Sequence, residues 1–330
     1  MLQFMPVFRV LGGLVLGLAC LMLAPFLVDF FGGRRDSSFF ASAIVAALFT
    51  GLTLIIMSGS REGGFELTRR QAFLTTGLIW TVIPVFAALP LMSAGLSFID
   101  AYFEAASAMT TTGATVMVGL DNAPPGLLLW RSLLQWIGGV GIVVLGIIVM
   151  PSLRVGGMQL FQTESSDKSE KIFSRGFDLM QWIAIVYVGL TAICALVYGW
   201  LGMSSFDAIN HAMSSISTGG FSTHDASFGY FESPPLEWAA VVFMFAGALP
   251  FVAFIRTLRG RDMAIFTDVQ VRGYAITLLL LTFTVGVTHA IVNNVPIGDA
   301  LRSAAFNLTS VATTTGFASE DYQTWGAFAV

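Results

Sequence analysis

The chain has 330 residues, of which 55% are hydrophobic and 11% are charged, and its formal net charge is −4. This composition excludes an ordinary soluble domain, in which charged residues are far more frequent. The small net charge gives no reason to expect a nucleic-acid partner. Its two cysteines, Cys20 and Cys194, indicate neither a disulfide framework nor a thiolate metal site.

Seven apolar segments are long enough to cross a lipid bilayer, for which about 20 residues are needed. They lie at 7–31, 38–59, 71–92, 126–150, 177–201, 236–255 and 271–292. Lys and Arg residues collect after the second, fourth and sixth segments, so the positive-inside rule places these loops and the N-terminus in the cytoplasm. Arg34 and Arg35 are an exception to this rule. The sequence therefore predicts an all-α, multi-pass membrane protein.

Three outward segments carry related sequences. They are "FIDAYFEAASAMTTTGAT" (98–115), "FDAINHAMSSISTGGFST" (206–223) and "IGDALRSAAFNLTSVATTTGFAS" (297–319). Each has Asp-Ala near its start and ends in a hydroxyl residue, Thr and Gly. An apolar span precedes each segment and follows the first two. The repeated unit is therefore predicted to be a span, a half-helix, a polar turn and a second span.

The half-helices are predicted to begin at Asp100, Asp207 and Asp299, because an N-cap carboxylate accepts unpaired backbone N–H groups. They are too short to span, so each is expected to enter from outside and turn back. Irregular backbone at membrane depth is tolerated where it is buried in protein or lines a cavity. Carbonyl groups of a Thr-Thr-Gly turn can replace part of a cation's hydration shell, and the half-helix directs its negative end there.

A less specific interpretation also fits one such turn. Ser, Thr and Gly are common inside transmembrane helices, where they allow close packing. Three copies on the outer side, each after a half-helix that starts with Asp, are hard to obtain from packing alone. The repetition therefore favours a cation pathway.

These three turns, with "RSLLQWIGGVGIVVLGIIVMPSL" (131–153) and "RSAAFNLTSVATTTGF" (302–317), resemble the membrane subunit of the Trk/Ktr/HKT potassium transporter superfamily, most closely its TrkH type. The resemblance covers nearly the whole chain, including two extra N-terminal transmembrane helices. It implies potassium-channel-like span–pore-helix–span repeats around a pseudo-fourfold pore. It also implies potassium uptake, with potassium as the substrate, no bound cofactor and no enzymatic activity.

The same resemblance assigns one selectivity-filter glycine to each repeat. These are Gly113, either Gly219 or Gly220, and Gly316. Potassium would be held by backbone carbonyls of Thr111, Thr112, Ser217, Thr218, Thr314 and Thr315. Family members work as homodimers with cytosolic nucleotide-binding regulators of the TrkA type. The implied location is the cytoplasmic (inner) membrane of a bacterium, with the N-terminus in the cytoplasm.

The predicted organisation has five parts. Residues 1–66 are two N-terminal transmembrane helices, 67–153 the first repeat, 154–175 a cytoplasmic linker, 176–258 the second repeat and 259–330 an incomplete third repeat. A fourth repeat would need roughly another hundred residues. We therefore expect the sequence to be a fragment of a longer protein. The fragment alone is not expected to enclose a pore.

Potassium uptake has three alternatives. An ion-coupled secondary transporter with broken helices could share such turns, but it usually shows repeats in pairs. A sodium-permeable channel of the same fold stays open, because one glycine per repeat implies a short filter with modest selectivity. An intramembrane enzyme would need a motif such as H-E-x-x-H or G-x-S-x-G, which the sequence does not contain.

Several further residues have two interpretations. His211 and His224 flank the second turn, where pH sensing or metal binding competes with simple packing. Arg131 is expected to pair with an acid such as Glu104. Gly138, Gly139 and Gly141 could bend the fourth span or allow close helix packing behind the turn, and packing is the simpler expectation. Acidic residues near the outer mouth attract cations or form an ordinary solvated surface. They are Asp121, Asp225, Glu232, Glu320 and Asp321.

Overall fold

The computed structural model describes residues 4–33, 37–59, 67–153, 168–260 and 263–325. Within these residues the chain consists of α-helices joined by turns and short 3-10 segments, which confirms the all-α prediction. The α-helices are α1 Met5–Leu21, α2 Leu23–Phe31, α3 Ser37–Met57, α4 Arg69–Leu91, α5 Phe98–Met109, α6 Pro125–Leu153, α7 Lys168–Trp200, α8 Ser205–Ile216, α9 Pro234–Ala248, α10 Phe251–Leu258, α11 Ala264–Thr267, α12 Val269–Asn293 and α13 Ile297–Ala312.

The long helices have the length and composition of membrane spans. Among the described residues, five helical segments are long and apolar enough to cross a bilayer, or six if α9 and α10 form one span. They expose large apolar side chains such as Phe49, Leu196 and Leu279. In water such exposure is unfavourable, whereas in lipid it is the expected outer surface. All predicted spans except the sixth coincide with unbroken or nearly unbroken helices.

The sixth predicted span, 236–255, is not one straight helix. Helix α9 ends at Ala248 and α10 begins at Phe251, and the two are bent by 93°. Pro250 has no N–H to continue the helix, and the residue before a proline is pushed out of the helical region. Leu249 accordingly has extended backbone, with φ −75° and ψ 149°. The proline therefore breaks this span.

Half-helices α5, α8 and α13 each follow a long helix and end in a turn. They contain 12, 12 and 16 residues, fewer than the roughly 20 that a span needs. The third is longer by about one helical turn, which keeps the same face towards its neighbours. The repeated order of long helix, half-helix and turn agrees with the sequence prediction.

The predicted N-caps Asp100 and Asp207 are wrong by one turn. The caps are Ser97 and Ser204, and each aspartate is the third residue of its helix. The Ser97 hydroxyl accepts from the Asp100 N–H at 3.2 Å and donates to its carboxylate at 2.7 Å. Ser204 makes the same pair of bonds at 3.1 Å and 2.6 Å. The carboxylates still lie in the first turn, where the helix dipole favours negative charge.

Asp299 is likewise the third residue of its helix, which begins after Pro296. Its carboxylate accepts from the Arg302 guanidinium at 2.7 Å, and Arg302 also donates to Glu237 at 3.1 Å. The aspartate is therefore part of a charged cluster at the start of α13 and is not its cap.

The predicted linker 154–175 is partly replaced by helix. Residues 154–167 lie outside the described residues, as do Arg34 and Arg35. Helix α7 already begins at Lys168, so the last part of the predicted linker is helical.

Contacts divide the chain into two compact units. The first comprises Met1–Thr110, Ala114–Met117 and Asn122–Met180, and the second Thr111–Gly113, Val118–Asp121 and Gln181–Val330. In the first unit α5 packs against α4 and α6. In the second, α8 packs against α9, and α13 against α9 and α12. The first turn, Thr111–Gly113, thus belongs to the same unit as the other two turns.

Glycines in the helices that follow the first two turns allow close packing. A Cβ at Gly138 would lie well under 3.0 Å from the carbonyl oxygen of Met109, the last residue of α5. A Cβ at Gly247 would lie 2.9 Å from the carbonyl oxygen of Ile216, the last residue of α8. The predicted packing role is confirmed for Gly138, and Gly247 has the same role in the next repeat. At Gly141 it is not, because a Cβ there would meet no described atom within 4 Å.

Gly138→Ala is expected to destabilise the protein, because the added methyl group meets backbone that cannot rotate away. Overpacking of this kind costs about 1–3 kcal/mol. Gly141→Ala on the same helix is the matched control, since a Cβ there meets no described atom within 4 Å. Thermal unfolding in detergent should show a lower Tm for Gly138→Ala alone. Equal Tm values for both variants would contradict the packing assignment.

Candidate functional site

The three turns share one unusual backbone conformation. A threonine in the left-handed region begins each turn, and a glycine in that region follows two residues later. The threonine φ angles are 54° at Thr111, 52° at Thr218 and 59° at Thr314. The glycine φ angles are 77° at Gly113, 78° at Gly220 and 89° at Gly316. A β-branched residue at positive φ is rare and costs on the order of 1–3 kcal/mol.

This backbone register resolves the two glycines of the second turn. Gly220 occupies the position of Gly113 and Gly316, and Gly219 takes the middle position. Ser217 is the C-cap of α8, as Thr110 is of α5, and so stands one residue before the turn. The sequence prediction treated Ser217 as the equivalent of Thr111, but the equivalent residue is Thr218, one position later. The sequence left this register open because Gly219 and Gly220 are adjacent.

Backbone N–H groups of the second and third turns point back at their half-helices. Gly219 N–H donates to the Ser214 carbonyl at 2.9 Å, and Thr315 N–H donates to the Ser310 carbonyl at 2.8 Å. The C=O and N–H of a trans peptide point in opposite directions. The carbonyl that precedes each of these N–H groups, that of Thr218 or of Thr314, is therefore directed away from its half-helix.

The three turns converge within the second unit. A Cβ at Gly113 would collide with the Gly219 carbonyl oxygen and would lie 3.5 Å from that of Thr315. A Cβ at Gly220 would collide with the Thr315 carbonyl oxygen. Gly113 and Gly220 thus each face a carbonyl of another turn, whereas a Cβ at Gly316 would meet no described atom within 4 Å. Converging carbonyl oxygens form the kind of surface that replaces the hydration shell of a cation.

In the first and third repeats, a serine four residues before the left-handed threonine bonds to the chain beyond the turn. Ser107 Oγ donates to the Ala114 carbonyl at 2.6 Å, and Ser310 Oγ donates to the Phe317 carbonyl at 2.7 Å. The two serines hold equivalent positions. The segment leaving the turn is therefore tied back to the half-helix in the same way in both repeats.

The expected pair of Arg131 and Glu104 is confirmed. Arg131 Nε donates to Glu104 Oε1 at 2.8 Å, and the two side chains are 1% and 0% exposed. Arg131 Nη2 also donates to Thr115 Oγ1 at 3.0 Å, and the Val116 N–H donates to Glu104 Oε2 at 3.0 Å. The pair lies in the first unit and holds residues that directly follow the first turn.

Arg131→Leu is expected to destabilise the protein by about 3–5 kcal/mol, because it leaves the buried Glu104 carboxylate without its cation. The double variant Glu104→Leu/Arg131→Leu should lose less, since no buried charge remains. Denaturant unfolding in detergent measures both. A double variant less stable than Arg131→Leu would contradict this assignment.

Two loops of the second unit are joined by a histidine and two aspartates. His224 Nδ1 bonds to an Asp121 carboxylate oxygen, and the His224 ring stacks on Tyr230 at 3.4 Å between centroids. Asp225 accepts from the Gly119 N–H at 2.9 Å. The hydrogen bond from His224 holds the pKa of Asp121 below its ordinary value. Two of the acidic residues predicted at the mouth thus have structural partners.

The lowered pKa gives Asp121 a defined effect of pH on stability. Because the folded pKa lies below the ordinary value of 3.8, its stabilisation is complete above that value and is lost as the pH falls through the folded pKa. The difference in Tm between the protein and Asp121→Asn should therefore be constant well above pH 3.8 and should shrink as the pH falls below that value. A difference that does not shrink at low pH would contradict the assignment.

The interpretation of His211 as a packed side chain is confirmed. It is 0% exposed, and its ring makes edge contacts with Phe228 and Phe231. Among the described residues, no group of three or more His, Cys, Asp or Glu side chains could hold a metal ion.

Long apolar helices, half-helices and converging turns define a class of membrane protein that passes a solute through re-entrant repeats. Residues 36–330 match the family described as "TrkH: Cation transport protein". The chain belongs to this family, which is a family of transporters and not of enzymes.

Similar proteins come from several bacteria. The chain is 42% identical to the Trk system potassium uptake protein TrkI of Halomonas elongata, over 99% of this chain and 66% of that protein. It is 35% identical to the Trk system potassium uptake protein TrkH of Escherichia coli K12, over 99% of this chain and 69% of that protein. The chain therefore spans about two thirds of these relatives' length.

A solved structure has the same fold. The crystal structure of the potassium transporter TrkH from Vibrio parahaemolyticus matches with a TM-score of 0.87 and 32% identity, over 99% of this chain and 68% of that one. The match extends through all three repeats and confirms the span–pore-helix–span architecture.

Proposed function

We propose that the chain carries three of the four filter segments of a potassium uptake pore. The observation that carries the proposal is the convergence of the three turns, in which Gly113 faces the Gly219 carbonyl and Gly220 faces the Thr315 carbonyl. A generic packing role would not require the same rare backbone three times. The fourth segment, implied by the family resemblance, stays a prediction.

In this mechanism the carbonyl groups of the turns replace water around the ion. Thr111 and Thr112 supply them in the first repeat, Thr218 and Gly219 in the second, and Thr314 and Thr315 in the third. The glycines that end the first two turns, Gly113 and Gly220, let a neighbouring turn approach. Each half-helix directs the negative end of its dipole towards its turn, which favours a cation over an anion.

Potassium is proposed as the substrate because the relatives named above are potassium uptake proteins or a potassium transporter. A single short ring of carbonyls gives fewer ion sites than a multi-ring filter. We therefore expect potassium to be preferred over sodium, but less strongly than in a filter with several successive rings. A sodium-permeable pore is the alternative that the same geometry allows.

We further propose an inner-membrane location with a cytoplasmic N-terminus, supported by the distribution of Lys and Arg. A homodimer and a TrkA-type nucleotide-binding regulator are proposed from the family resemblance. The names of the relatives, which refer to a Trk system, are consistent with further components. The proposed organisation keeps two N-terminal spans, two complete repeats and part of a third.

Glycine-to-serine changes at the turns should alter ion selectivity. Gly113→Ser, Gly220→Ser and Gly316→Ser place a Cβ on left-handed backbone, and at the first two it also meets a carbonyl of another turn. Rubidium-86 uptake into proteoliposomes, competed by potassium or sodium, measures selectivity in the complete gene product. We expect each variant to reduce the preference for potassium by about tenfold or more, which is about 1.4 kcal/mol.

Gly119→Ser is the matched control. Gly119 also has positive φ, at 75°, but a Cβ there meets no described atom within 4 Å. The control carries the same backbone strain outside the turns, so its ion preference should be unchanged. Wild-type selectivity in all three turn variants, or no discrimination by the wild type, would contradict the proposed function.

A further inference from the structure

One position in each half-helix is polar and buried, although its residue differs between repeats. Two helical turns before each left-handed threonine lie Glu104, His211 and Asn307. Their exposed fractions are 0%, 0% and 2%. Buried polar side chains are costly unless they are hydrogen-bonded. The carboxylate, the imidazole and the amide at this equivalent position are therefore expected to have the same structural role, although they form different kinds of hydrogen bond.

In the first repeat Glu104 binds the segment that leaves the turn. It accepts from Thr115 Oγ1 at 2.8 Å and from the Val116 N–H at 3.0 Å. Arg131 neutralises the carboxylate and donates to the same threonine hydroxyl. The bonds are charge-assisted, the strongest kind available to a buried side chain.

In the second repeat the His211 imidazole binds the segment that leaves the turn. Its Nδ1 lies 2.9 Å from the Asp207 carbonyl, and its Nε2 lies 3.0 Å from Ser222 Oγ. The carbonyl acceptor requires the proton on Nδ1, so in the neutral ring Nε2 accepts from the Ser222 hydroxyl. Ser222 follows its turn at the position that Thr115 occupies in the first repeat.

In the third repeat Asn307 uses both ends of its amide. Its Nδ2 donates to Ser319 Oγ at 2.9 Å, and its Oδ1 accepts from the Ser319 N–H at 3.3 Å. Ser319 follows its turn at the position that Val116 occupies in the first repeat. Each half-helix therefore reaches past its turn and fixes the residues four or five positions beyond the strained threonine.

The bonds matter because the turn backbone is strained. A strained conformation persists when the surrounding structure over-determines it. The half-helix fixes the start of each turn through its own backbone. A side-chain bond beyond the turn fixes its end, so the carbonyl groups between the two anchors are held in place.

Resting on the proposed function, we infer that Glu104, His211 and Asn307 are positioning residues that set the ion selectivity of their turns. Each acts through the segment after the turn and does not touch the ion. Because the three differ in chemistry, the four-sided pore is held asymmetrically. The first turn is held by a neutralised ion pair, whereas the second and third are held by neutral hydrogen bonds.

The test uses variants that keep volume and remove the bond. His211→Phe retains an aromatic ring beside Phe228 and Phe231, and Asn307→Leu is nearly isosteric. Asn210→Leu is the matched control. Asn210 is also buried on a half-helix, at 1% exposure, but its amide donates to the Phe206 carbonyl of its own helix at 2.8 Å.

Rubidium-86 uptake by the purified complete gene product, competed by potassium and by sodium, gives the selectivity ratio for each variant. We expect His211→Phe and Asn307→Leu to lower the potassium preference about three- to tenfold. Asn210→Leu should change the yield or the maximal rate but not the ratio. His211→Gln, whose terminal amide can reach the position of Nε2 and bond to Ser222, should retain most of the wild-type ratio.

Wild-type ratios in both His211→Phe and Asn307→Leu, together with altered ratios in the turn glycine variants, would overturn this inference and leave the proposed function standing. A ratio lowered equally by Asn210→Leu would also overturn it, because a general packing defect would then suffice. A wild-type protein that does not discriminate between potassium and sodium would overturn both.

Discussion

The structure depends on the cost of unpaired backbone in a membrane. A helix pairs its own N–H and C=O groups, whereas a turn at membrane depth does not. Such a turn is tolerated where it is buried in protein or lines a cavity in which an ion can bind. The second and third turns meet this constraint by directing the N–H groups of Gly219 and Thr315 back to their half-helices. The carbonyl oxygens of Gly219 and Thr315 face a glycine of another turn. The arrangement depends on threonines with positive φ, on glycines that let neighbouring turns approach, and on buried side chains that bind the segment after each turn.

Much of the fold was predictable from the sequence because the spans are long and the repeat occurs three times. The half-helices and turns followed from that repetition, and Arg131 was expected to pair with an acid such as Glu104. The bend at Pro250 was readable in principle, since proline cannot continue a helix. The sequence prediction nevertheless treated 236–255 as one span, because hydropathy reports how apolar a segment is and not whether a backbone N–H is missing.

Other features could be recognised only in the structure. Ser97 and Asp100 are both good caps, and only the backbone shows that the helix begins after the serine. Adjacent Gly219 and Gly220 left the register open until the φ angles separated them. The shared position of His211 and Asn307 was invisible because the residues differ in type. Serines three residues before the aspartates, as in "SFID" and "SSFD", were the signal that could have corrected the caps.

The most direct test of the central claim is to locate the ion. Crystals of the complete gene product grown in rubidium salt would show the bound cation by anomalous diffraction. Our interpretation predicts an anomalous peak where the turns converge, beside the carbonyl oxygens of Gly219 and Thr315. Strong peaks elsewhere along the pathway, with none at the turns, would contradict a filter built from these three segments.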